Sequence, residues 1–123
     1  MNYEEKVKLA EDPNTSIHVL EEPSTDEDKD VRELAAKNPN APSSALENLS
    51  KDKDEGVRWR VAQNPNTPIH VLEELSKDKD KDVRCRVAQN PNTPMGCLTA
   101  LMADAEAEVR KAAMENYKGR QSL

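Results

Sequence analysis

Phenylalanine does not occur in this chain, and one tryptophan with two tyrosines makes up an aromatic content of 2%. Large rings normally dominate the centre of a thick globular core. Their absence leaves Leu, Val, Ala, Ile and Met to form the interior, a set suited to many thin and similar layers. Glycine is almost as scarce, with three residues in 123. That leaves no Gly-rich phosphate loop, and no nucleophile elbow or Cys/His pairing is spelled either. No stretch approaches the roughly 20 apolar residues of a membrane span. The opening "MNYEEKVKLA" has neither the basic start nor the apolar run of a signal peptide. The expectation is a soluble, cytoplasmic protein. Cys85 and Cys97, the two cysteines, lie twelve apart and match no paired-ligand spacing. They read as free thiols in a reducing compartment, and no metal or cofactor is expected.

Charge is abundant instead. Asp and Glu number 24 and Lys and Arg 18, for a net charge of −6. Val and Leu nevertheless recur too regularly for a disordered polyelectrolyte. The regularity has a period. "NPNTP" stands at 64–68 and at 90–94, with "NPNAP" at 38–42 and "DPNTS" at 12–16, always 26 residues apart. In register, the units begin at residues 5, 31, 57 and 83, with a half unit from 109, and no gap is needed. Eleven of the twelve letters of "VRWRVAQNPNTP" recur in "VRCRVAQNPNTP". Fixed self-similarity at 20 to 50 residues marks a stacked array.

Within one unit, Val57, Val61 and Ala62 fall on one side of a helix. Asn64 closes that helix, because the residue before a proline is pushed out of the α region. Thr67 is expected to cap the next helix with its side-chain oxygen, and Pro68 to occupy its first position. Ile69, Leu72 and Leu75, three apart, give that helix an apolar edge that fits an α-helix or a 3₁₀ turn. The repeated corner stops one helix and starts the next, so each unit lays its edge on its neighbour. Val31, Val57, Val83 and Val109 then form one core file, and Leu20, Leu46, Leu72 and Leu98 another. The fold class expected is all-α: a single repeat domain over 1–123, with an N-terminal cap helix at 1–11, four stacked units at 12–108 and a C-terminal cap helix and tail at 109–123.

The pattern VR..VA.NP.TP...L..L..D, nearly intact at 57–78 and 83–104, resembles the leucine-rich repeat variant family, a HEAT-like repeat, over about residues 5 to 116. The resemblance implies a right-handed α-solenoid in which α-helices alternate with 3₁₀ helices. It departs at Pro23, which replaces the leucine found at Leu49, Leu75 and Leu101, so the first unit is expected to be looser. The cysteine-rich iron–sulfur segment of some family members has no counterpart in this sequence. HEAT repeats also carry an Asp and an Arg six residues apart, as do Asp26/Arg32, Asp52/Arg58, Asp78/Arg84 and Asp104/Arg110. That spacing assigns the arginine file to a ladder between units rather than to a phosphate-binding stripe.

In an array, stacking residues must repeat while a partner-binding face is free to vary. One file varies conspicuously: Glu33, Trp59, Cys85, Lys111, each about 200° around its helix from the core valine and so directed away from the core. Gln63 and Gln89 share that face. Arg60 and Arg86 occupy a further file that the repeat does not require, since Leu34 and Ala112 stand there in other units. Trp and Arg are enriched among residues that dominate interfaces. Trp59, Arg60, Gln63, Cys85, Arg86 and Gln89 are therefore the candidate contact patch of a non-catalytic protein- or peptide-binding scaffold. The alternative reading of Trp59 is structural, a ring lying on a neighbouring helix. Nucleic acid is a rival partner, disfavoured by the net charge and a pI near 5.0. A thinner analogy, to HEAT-like phycobilin lyases, requires a chromophore. The expected state is a monomer, with association through its ends the route to anything larger. His18 and His70 share one slot and read as solvated, and "KDKDKD" at 77–82 reads as a solvated loop between units.

Overall fold

The computed structural model describes residues 2–13 and 25–121. His18, Leu20 and Pro23, with the looseness expected around them, lie outside those residues. Among the described residues the protein is all-α, with eight helices and no strand: α1 (Tyr3–Glu11), α2 (Lys29–Lys37), α3 (Ser43–Leu49), α4 (Glu55–Gln63), α5 (Ile69–Leu75), α6 (Lys81–Gln89), α7 (Met95–Leu101) and α8 (Ala107–Gln121). The longer helices pack in chain order, α1 on α2, α2 on α4, α4 on α6 and α6 on α8. Each short helix lies against the long helices on either side of it. The short elements are α-helices of seven residues, not 3₁₀ turns.

The apolar files meet in a continuous interior. Val31, Val57, Val83 and Val109 are fully buried, as are Leu46, Leu72 and Leu98. Each such side chain contributes roughly 1.5–3 kcal/mol when removed from water. The short helix departs from its expected edge. Val71, Leu72 and Leu75 are buried, whereas Ile69 is 56% exposed. Ile69 begins its helix directly after Pro68, and its register is held by Ser43 in the unit before, a polar residue on the same outer rim.

At the corner, Asn38, Asn64 and Asn90 take extended backbone angles before proline, as steric exclusion from the α region requires. Their side chains are buried and fully used. Asn64 Nδ2 donates to the carbonyls of Ala36 at 2.7 Å and Asn38 at 3.0 Å, and its Oδ1 accepts from the Asn66 amide. Asn38, Asn90 and Asn116 donate in the same way to carbonyls 28 and 26 residues earlier. The last carbonyls of a helix have no intrahelical donor. Here the asparagine of one unit satisfies the helix end of the unit before. Thr67 does not cap α5. Its Oγ1 donates back to Val61 O at 2.6 Å, and the capping position belongs to Pro68 with no side-chain bond. Thr93 repeats the arrangement toward Val87 O. Tyr117 replaces the proline after Asn116, so α8 runs on to Gln121 and brings Arg120 to the carbonyls of Thr93, Asn90 and Pro91.

The arginine ladder exists with a different partner from the one six residues back. Arg32, Arg58 and Arg84 each pair through Nε with the carboxylate twenty residues on, Asp52, Asp78 and Asp104, at 2.7–2.9 Å. The aspartate six residues back offers its backbone carbonyl, as Asp52 O does to Arg58 and Asp78 O to Arg84, both at 2.8 Å. Each aspartate therefore stands between two arginines, and Lys6 takes the arginine's place opposite Asp26 at 2.7 Å. The Arg84 guanidinium holds Asp104 below the ordinary carboxylate range, and the Lys6 ammonium does the same for Asp26.

The alternating loop is only half solvated. Lys77, Lys79 and Lys81 are exposed, while Asp78 takes Arg58 and the Asp80 amide, and Asp80 caps α6 by accepting from the Asp82 amide.

Two outcomes are expected. Arg58→Ala and Asp78→Ala, whose side chains are 8% and 9% exposed, should each destabilise by about 3 kcal/mol, with a coupling energy of about 1–3 kcal/mol. Denaturant unfolding should give a smaller coupling for Asp78 with Arg84, which are joined through the backbone. Asn64→Asp should lose about 3 kcal/mol at neutral pH, because the new carboxylate faces two carbonyls with no proton to give. Its folded-state pKa is raised, so acidification, which supplies an O–H donor, should recover part of the loss relative to the unaltered protein.

Candidate partner-binding surface

The variable residues are set on α4 and α6, adjacent long helices whose apolar sides are fixed by Val57, Val61, Val83 and Val87. Trp59 is half-buried and packs against the core cluster. It is thus less outward than its angular position implies, because the neighbouring helix rises beside it. The Arg60 guanidinium lies 4.7 Å from the ring centroid and the Arg86 guanidinium 4.4 Å, both within cation–π reach. Arg60 is the next residue on the same helix, and Arg86 belongs to the next unit, 27 residues on. One of the ring's neighbours is therefore local, and the other exists only because α6 packs on α4.

Each arginine is tied to its glutamine. Arg86 Nη1 donates to Gln89 Oε1 at 2.8 Å, and Arg60 Nη1 to Gln63 Oε1 at 3.5 Å. Arginine has only donors, so each glutamine must turn its oxygen inward, which directs its amide hydrogens elsewhere. Five of the six candidate residues are brought together in this way around one ring. Cys85 is set apart. It is half-buried against the core, with Sγ 3.9 Å from Glu108 O, and burial pushes its thiol above the ordinary value. Glu33, from the same variable file, belongs to the cluster as well: its Oε1 lies 3.4 Å from Arg60 Nε. The spacing of one unit plus one residue, which relates Glu33 to Arg60 and Trp59 to Arg86, was present in the sequence and marks the contact.

Elsewhere the charged files are occupied. Arg32, Arg58 and Arg84 are bound to aspartates and form no phosphate stripe. His70 meets Glu47 at 3.0 Å on the surface. Among the described residues no group of three or more His, Cys, Asp or Glu side chains is placed to hold a metal, and no helix is long and apolar enough to cross a membrane. Comparison of the chain with protein-family models, curated proteins and solved structures gives no match.

Half-burial of the ring predicts that Trp59→Ala destabilises by about 2 kcal/mol, between the values for an exposed ring and a core ring. Trp59 is the single tryptophan, so its fluorescence reports this place alone. Quenching by the neutral quencher acrylamide should be partial in the unaltered protein and should increase in Arg86→Gln.

Proposed function

We propose that this chain is a right-handed α-solenoid of 26-residue units, similar to the leucine-rich repeat variant family, and that it binds a protein or peptide through the face of α4 and α6 without catalysing a reaction. The observation that carries the reading is the clustering of Trp59, Arg60, Arg86, Gln63 and Gln89, which the repeat itself does not require. An aromatic ring held between long charged side chains offers a large, low-entropy contact area, the kind of anchor that dominates interface energetics. The aspartates of the loops support a non-catalytic reading, since they are engaged in caps and in the ladder. The chain acts on this view as one cytoplasmic domain, monomeric, with the repeat supplying a surface and the variable file supplying selectivity.

The test begins with co-purification from the native host and identification of reproducible protein partners by mass spectrometry. Affinity of the purified partner for Trp59→Ala, measured at a temperature where both variants are folded, should fall about 30-fold, the scale of an interface anchor of about 2 kcal/mol. Glu73→Lys, on the exposed side of α5, should bind as the unaltered protein does. Undiminished binding by Trp59→Ala would reject this face.

A further inference from the structure

Units two and three of the array differ in one chemically decisive way. At the register of the variable file, the earlier unit carries Glu33 and the later one Trp59. At the register that reaches across from the next helix stand Arg60 and Arg86. Arg60 meets the carboxylate of Glu33, with Nε 3.4 Å from Oε1. Arg86 meets the ring of Trp59 instead, 4.4 Å from its centroid, and its guanidinium donates to Gln89. Among the described residues it makes no ion pair. It is nonetheless half-buried, and a half-buried guanidinium ordinarily sits with a carboxylate. Ring and glutamine fix its plane, so little side-chain freedom is lost when a ligand arrives. Gln89, with its oxygen turned to Arg86, keeps its amide hydrogens for the same ligand.

We infer that Arg86, braced by Trp59 and Gln89, receives the carboxylate of an acidic segment of a partner protein, supplying from outside the charge that Glu33 supplies to Arg60 within the chain. The inference rests on the reading of this face as partner-binding and names the partner's chemistry. Charge complementarity favours it locally despite the acidic whole: residues 56–123 carry 11 basic and 9 acidic side chains, against 7 and 15 in residues 1–55. A carboxylate also fits the planar fork of arginine in two parallel bonds, and the stacked ring keeps that fork from turning.

Hexaglutamate is the probe, titrated into the full chain at low ionic strength with Trp59 fluorescence as the readout. A saturable change is expected, absent with hexalysine. Arg86→Gln should weaken it about tenfold or more, the loss of a charge-assisted bond. Lys79→Gln, at an exposed loop lysine, should titrate as the unaltered chain does, and circular dichroism should show both variants folded. The proposal is overturned by no saturable change, by unaltered affinity in Arg86→Gln, by an equal response to inorganic phosphate at the same concentration, or by tighter binding of oligothymidylate than of hexaglutamate. If hexaglutamate fails while Trp59→Ala still loses the native partner, the carboxylate is rejected and the binding face stands. If both fail, the face is rejected with it.

Discussion

A helix cannot satisfy its own last carbonyls, and in this protein the next unit satisfies them. The proline that follows each corner asparagine ends the helix and removes a backbone donor that a longer turn could have used. The carbonyls of Ala36 and Ala62, buried in the interior, then depend on the amides of Asn64 and Asn90, 28 residues along the chain. A buried amide with both hydrogens and its oxygen engaged leaves no slack in position. The spacing of neighbouring long helices is thereby set by hydrogen-bond length as well as by the volumes of valine and leucine.

The other end of each long helix is held by charge. Arg58 lies in the first turns of α4, grips Asp78 in the loop ahead and takes the carbonyl of Asp52 behind. Polar ladders thus flank the apolar file on both sides, aspartate with arginine at the start of the helix and asparagine at its end. Between them the residues of the outer face are released from structural duty, which is why Glu33, Trp59, Cys85 and Lys111 can share one register. Trp59 occupies that freedom only in part, since the ring still covers core.

The corner, the helix pair and the buried valine and leucine files were legible because a gapless 26-residue period repeats each of them with small variation. The arginine's partner was not. In an array of that period an aspartate six residues back and one twenty residues on belong to a single file, so spacing offers both and geometry chooses. Thr67 was ambiguous for another reason: a hydroxyl both donates and accepts, and here it donates to the Val61 carbonyl as a second partner beside the Asn64 amide. Ile69 was misassigned to the core although Ser43, in the same register, showed that the position tolerates water. The side of the helix holding Trp59 could be read from its angle. Its half-burial depended on Arg86, a residue of another helix, and became visible only once α6 was placed on α4.

Capping across units also gives the array a direction in time. A chain emerging from the ribosome makes α2 complete in sequence at Lys37, yet the Ala36 carbonyl must wait for Asn64. During synthesis the long helices α1, α2, α4 and α6 each lack this bond at the trailing end until the following corner has been translated. The helix ends are therefore completed one corner behind the growing end, and the newest corner is the one whose carbonyls must still be satisfied by water.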